Sequence, residues 1–81
     1  MDEREIRGIV IATLKSIAPE MEESELLADR PLRNQVDLDS MDWLNFLIGL
    51  HKTLSVDIPE ADYGRLVSLA DLGAYLKARL G

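Results

Sequence analysis

The sequence contains no cysteine and only one histidine, His51. The absence of cysteine excludes disulfides, a thiolate nucleophile and a sulfur-ligated zinc or iron–sulfur site. A chain without disulfides suits a reducing compartment, and a lone histidine offers little to a metal. We therefore expect a cytoplasmic protein with no bound metal.

Long apolar runs and clusters of basic residues are also missing. No stretch approaches the roughly 18 apolar residues that a membrane helix needs, and the opening residues, MDEREIRGIV, do not resemble a secretory leader. Within a chain of net charge −6, residues 20–62 hold eleven acidic and three basic side chains. This surface repels nucleic acid and favours partner proteins with basic surfaces. We expect no membrane span and a monomer.

Apolar residues recur at helical spacing along most of the chain. Helices are predicted over about 3–17, 40–54, 60–65 and 69–79. The short third helix follows Pro59, and a capping-box pattern, Ser68 with Asp71, opens the last helix. No segment alternates with the period of two that marks a strand. With 81 residues, of which 47% are hydrophobic, residues 1–81 are expected to form one all-α domain, a four-helix bundle with a single core.

Residues 19–39 break the helical pattern and are predicted to form a long loop. A connection of about 20 residues is unusual in a compact domain unless it packs its own side chains or serves a function. Four apolar side chains are expected to hold this loop against the core: Leu26, Leu27, Leu32 and Val36.

The helix predicted over 40–54 has two apolar stripes. One stripe consists of Trp43, Phe46, Leu47, Leu50 and Leu54. The other consists of Met41, Leu44 and Ile48, which we call the second stripe. A single core needs only one of them, so the second stripe is either additional core or a contact surface.

Ser40 lies between acidic residues in the stretch DLDSMD. Either Asp39 or Ser40 suits the cap of the following helix. A calcium loop is excluded because Met41 and Ile48 occupy positions that need oxygen ligands. A self-contained hydrolase is excluded because His51 lies eleven residues along the same helix, roughly 16 Å away at 1.5 Å per residue. A cap and a site of covalent attachment remain.

Several motifs resemble those of acyl carrier proteins, whose signature is Asp-Ser-Leu. The chain has Asp39-Ser40-Met41 at the start of an apolar helix, then Ile58-Pro59, then a final leucine-rich helix. The resemblance implies that Ser40 carries 4′-phosphopantetheine, transferred from coenzyme A by a separate phosphopantetheinyl transferase. The chain would then be a carrier and not an enzyme, holding acyl groups as thioesters for enzymes of lipid, fatty-acid, polyketide or related specialised biosynthesis. Peptidyl or aminoacyl cargo is an alternative.

The resemblance also implies a docking surface for enzymes that load and transfer acyl groups. The docking residues expected are Asp37, Met41, Asp42, Leu44, Ile48, Glu60 and Asp62. Trp43 is expected to be either core or a lid on the arm and its cargo. Asn45, His51 and Lys52 stand where the family usually has glutamates, which favours a specialised pathway. The competing hypothesis is a small acidic helical interaction module that leaves Ser40 unmodified.

Overall fold

A computed structural model describes residues 1–80, which contain helices and no β-strand. The α-helices are α1 (Glu3–Ile17), α2 (Leu32–Gln35), α3 (Ser40–Leu54) and α4 (Leu69–Leu80), and two 3₁₀ helices span Glu23–Glu25 and Glu60–Arg65. The predicted all-α bundle and its three long helices are confirmed. None of these helices is both long and apolar enough to cross a membrane.

Polar side chains determine where the long helices begin. The Asp2 carboxylate accepts the Glu5 N–H at 2.8 Å and so caps α1. At α4, the Ser68 hydroxyl accepts the Asp71 N–H and the Asp71 carboxylate accepts the Ser68 N–H, both at 3.1 Å. This reciprocal pair is the capping box that the sequence predicts.

The core forms where α1 packs against both α3 and α4. Its fully buried side chains include Ile6, Val10, Leu14, Phe46, Leu47, Leu50, Leu72 and Leu76. At the α1–α3 crossing, a Cβ atom on Gly49 would lie only 3.0 Å from the Cγ2 atom of Thr13. The glycine therefore lets these two helices approach closely, and α3 is held firmly along its inner side.

The long connection between α1 and α3 is partly structured. Leu32 and Val36 are buried and Leu26 is half-buried, as expected. The prediction that Leu27 holds the loop was wrong, because its side chain is 55% exposed. Its backbone is held instead: the Gln35 amide accepts the Leu27 N–H at 2.6 Å and donates to the Leu27 carbonyl at 2.9 Å.

Two backbone hydrogen bonds tie this connection to the segment that leads into α4. The Leu32 N–H donates to the Val67 carbonyl, and the Ala70 N–H donates to the Ala28 carbonyl, both at 2.9 Å. The connection also contributes core residues that the sequence analysis did not identify, namely Met21 and Leu38. Together these contacts hold α2 beside the segment that leads into α4.

Candidate functional site

Ser40 is the first residue of α3, and it is exposed. The cap of this helix is Asp39, whose carboxylate accepts the Asp42 N–H at 2.8 Å. The Asp39 carbonyl accepts the Trp43 N–H at 3.0 Å. The structure thus resolves the choice between Asp39 and Ser40 as cap, and the Ser40 hydroxyl is not required to hold the helix end.

At the start of α3, Ser40 has both partial positive charge and negatively charged side chains close to it. The N–H groups of Ser40 and Met41 have no partner within the helix, and the N-terminal end of a helix carries partial positive charge. These groups suit a phosphate ester on the hydroxyl. The neighbouring carboxylates of Asp37, Asp39 and Asp42 oppose it, so they are not phosphate ligands.

The only histidine of the chain is not placed to act as a general base for Ser40. His51 lies on the same helix, roughly 16 Å along its axis at 1.5 Å per residue. Its Nδ1 atom is 2.6 Å from the Val56 carbonyl oxygen, a hydrogen bond at the other end of α3. The arrangement offers an accessible hydroxyl that is not paired with the only histidine.

The second stripe is exposed and begins beside Ser40. Met41 is 66% exposed, Leu44 39% and Ile48 38%. The other stripe of α3 is buried along its whole length. Of the two alternatives for the second stripe, additional core is therefore excluded, and it forms an apolar surface.

A cleft of about 420 Å³ lies between α2, the start of α3 and the second 3₁₀ helix. Its lining residues are Pro31, Arg33, Asn34, Leu38, Trp43, Tyr63, Gly64, Leu66 and Val67. Leu38 and Trp43 stand two residues before and three residues after Ser40, so part of the cleft lies within about one helical turn of Ser40. Trp43 belongs to the core and packs against Phe46, with ring centroids 5.1 Å apart. Its role as a lid stays a prediction.

The acidic residues expected to dock partners occupy different surroundings. Asp37 and Glu60 are exposed, and Asp42 is half-buried in the first turn of α3. Asp62 is different, because its side chain is only 19% exposed and its carboxylate lies 3.0 Å from the Arg79 guanidinium and 3.8 Å from that of Arg65. The structure therefore argues against Asp62 as a docking contact, since its charge is already paired within the chain.

Tyr75 completes the cluster around Asp62. Its hydroxyl donates to the Asp62 carboxylate at 2.6 Å, and the Arg79 guanidinium lies over its ring, 4.6 Å from the centroid. Partial burial and the hydrogen bond to Asp62 raise the pKa of Tyr75 above its usual value near 10. The cluster fixes the second 3₁₀ helix to α4 and so holds the wall of the cleft that contains Tyr63.

Sequence reasoning missed the residues that complete this cleft, above all Arg33 and Asn34. They lie in a four-residue helix that has no apolar period and no side-chain cap. Tyr63 comes from a third, distant segment. Tertiary contacts bring these side chains together, among them the hydrogen bonds between the long connection and the approach to α4, and no local pattern reports such contacts.

A comparison with protein families gives a match over most of the chain. Residues 4–76 match the family described as phosphopantetheine attachment site. The chain belongs to this family. The match spans nearly all of α1, the whole of α3 and most of α4, so it covers the fold and not only the Asp-Ser-Met motif. A comparison with curated proteins gave no match.

Membership of the family confirms the acyl-carrier resemblance and the predicted cofactor, 4′-phosphopantetheine, which is attached covalently. When bound, this group supplies a thiol that can hold a cargo as a thioester. Carrier domains of this family are generally not catalytic; they are modified by phosphopantetheinyl transferases and interact with enzymes. The residues present fit the cofactor, because Ser40 has an exposed hydroxyl outside the cap and a cleft beside it.

Proposed function

We propose that residues 1–81 form a single carrier domain that bears 4′-phosphopantetheine on Ser40 and presents acyl groups to separate enzymes. The observation that carries this proposal is the division between two adjacent residues: Asp39 caps α3, while the Ser40 hydroxyl stays exposed and unused. Lipid, polyketide or related specialised biosynthesis is the proposed setting, in the cytoplasm. Peptidyl or aminoacyl cargo would use the same attachment.

The attachment needs chemistry from a second protein. The Ser40 oxygen bonds to the phosphorus of coenzyme A that bears the pantetheine, the pyrophosphate bond breaks, and adenosine bisphosphate leaves. The proton of the hydroxyl goes to a base of the transferase, since the only histidine of the carrier is engaged with Val56 at the other end of α3. The exposed position of Ser40 at the helix start allows this approach without unfolding of α3.

We also propose that partner enzymes dock on the second stripe. Met41, Leu44 and Ile48 offer an apolar centre that starts beside the attachment residue. Asp37 and Asp42 lie close to Met41 in the sequence and Glu60 begins the second 3₁₀ helix, and their negative charge favours an enzyme surface with a basic rim. The absence of further acids on α3, where Asn45 and Lys52 stand, supports partners that differ from those of housekeeping fatty-acid synthesis.

Intact-mass measurement tests the attachment. The apo protein is incubated with coenzyme A and a broad-specificity phosphopantetheinyl transferase, alongside Ser40→Ala and Ser24→Ala. Ser24 is the matched control, because it is also exposed but lies in the first 3₁₀ helix. We expect one phosphopantetheine increment in the native protein and in Ser24→Ala, and none in Ser40→Ala.

Two results would count against the proposal. Persistence of the increment in Ser40→Ala would move the attachment to another residue. No increment with several transferases would favour the competing hypothesis, an interaction module that uses the second stripe and leaves Ser40 unmodified.

A further inference from the structure

The cleft beside Ser40 differs in charge from the part of the sequence that builds it. Residues 20–62, which supply most of its walls, hold eleven acidic side chains. Among the nine residues that line the cleft there is no carboxylate, and Arg33 is the single charged residue. A cationic cleft in an acidic part of the chain is a suitable place for an anion.

Arg33 is available to a ligand. The ion pairs found within residues 1–80 both involve Asp62, and neither involves Arg33. Asn34 follows it in α2 and lines the same cleft, so a guanidinium and an amide stand side by side. Guanidinium groups bind carboxylates through paired N–H donors, and amides add a further donor.

The inner wall of the cleft limits what can enter. Trp43 lines it and packs against the fully buried Phe46. Leu38 and Leu66, which are also buried, complete the inner wall. The volume of about 420 Å³ lies near the lower end for small-ligand sites. A short group therefore fits better than a long apolar chain.

The phosphodiester of the arm is a poor candidate for the anion in the cleft. It would be bonded to Ser40, which is not among the lining residues. The free N–H groups at the start of α3 already suit it where it stands. The distal part of the arm with its cargo remains as the candidate for the cleft.

We infer that the carrier takes short acyl groups that end in a carboxylate, with Arg33 as the residue that selects them. This inference rests on the proposed attachment to Ser40 and specifies its cargo. Arg33 binds the distal carboxylate, Asn34 adds a hydrogen bond, and the Trp43 ring covers the carbon chain. The thioester is thereby held against the protein and protected from solvent.

The experiment compares two cargoes of equal chain length. Apo protein is loaded by the transferase from succinyl-coenzyme A or from butyryl-coenzyme A, and loading is verified by intact mass. The rate of thioester cleavage by hydroxylamine is then measured and divided by the rate for the same acyl group on free pantetheine. This ratio removes the intrinsic reactivity of each thioester and leaves the protection that the protein provides.

The succinyl group is expected to be protected about threefold to fivefold more than the butyryl group, as a single exposed ion pair allows. Arg33→Gln is expected to remove this difference, and Arg33→Lys to retain part of it. Arg30→Gln is the matched control, because Arg30 is exposed, lies three residues before Arg33 and does not line the cleft. It should leave the difference unchanged.

The outcomes distinguish a failure of the proposed function from a failure of the inference about cargo. If no cargo loads onto the native protein, the proposed function fails. If both cargoes load and are equally protected, or if Arg30→Gln acts like Arg33→Gln, the inference about cargo is overturned while the carrier role stands. A change in the ³¹P signal of the holo protein without cargo in Arg33→Gln alone would assign Arg33 to the phosphodiester and overturn it as well.

Discussion

The two apolar stripes of α3 have similar side chains and opposite surroundings. Leu47 is 1% exposed, whereas Leu44, three residues earlier on the same helix, is 39% exposed. The difference arises because α1 packs along one side of α3, whereas the second stripe remains exposed. Hydrophobicity alone does not decide burial; the number of neighbouring elements does.

A small domain has few elements with which to cover its helices. A chain of this length folds around one core, and its three long helices are used to build that core. An apolar stripe that remains outside costs solubility unless another molecule covers it at times. The contrast between the two sides of α3 therefore supports a division into a folding side and a docking side.

The sharpest test of this contrast is the same substitution on both sides. Leu47→Ala is expected to lower the free energy of unfolding by about 2–5 kcal/mol, because it removes buried methyl groups and leaves a cavity. Leu44→Ala, the matched control, is expected to change it by no more than about 0.5 kcal/mol. Urea denaturation followed by circular dichroism measures both. Equal losses in the free energy of unfolding would show that Leu44 also belongs to the core and that the two stripes do not differ.

Substitution of the cap residue at the start of α3 should lower the stability of the helix as a whole, and not the packing of one of its two stripes. Asp39→Ala removes the acceptor of the Asp42 N–H and is expected to cost about 1 kcal/mol of stability. Ser40→Ala and Asp37→Ala should each cost less, since neither side chain caps the helix. A larger loss in Ser40→Ala than in Asp39→Ala would mean that the hydroxyl has a structural role. The same denaturation experiment decides between these results.

Substitutions in the second stripe are expected to change stability least and cargo loading by partner enzymes most. Leu44→Asp should change the free energy of unfolding by about 0.5 kcal/mol or less, while it places a charge in the apolar centre of the second stripe. Cargo loading by a partner enzyme should fall, as measured by intact mass against time. Asn45→Asp adds the same charge at an exposed neighbouring position and should load normally. Normal loading of Leu44→Asp would remove the stripe from docking.

Much of the fold follows from local patterns. The bounds of α1 and α3 agree with the helical period and with the capping residues, and α4 extends one residue beyond its prediction. The pattern failed at Leu27, because an apolar residue in a loop has no period to indicate its direction. It also missed α2, since four residues are too few for a period, and Pro31, at the cap position, makes no side-chain hydrogen bond to the helix.

Part of the candidate site could likewise be predicted from the sequence, and part could not. Ser40 and its cap could be predicted because they are neighbours in sequence at a helix start. The pairing of Asp62 with Arg79 could not, because it joins residues from two helices and depends on how the second 3₁₀ helix lies on α4. The cleft was beyond prediction for the same reason, since Arg33, Trp43 and Tyr63 come from three separate segments.

The Gln35 amide restricts which residues can occupy position 35 in a chain that preserves this cleft. Its nitrogen donates to the carbonyls of Leu27 and Arg30, both at 2.9 Å, while its oxygen accepts the Leu27 N–H. Glutamate has the same shape but offers oxygen where the nitrogen stands, so it would face two carbonyl oxygens. The replacement of one atom would thus turn two attractions into repulsions in the short helix that carries Arg33. This position at the end of a short helix restricts the sequence through polarity, whereas a core position does so through volume.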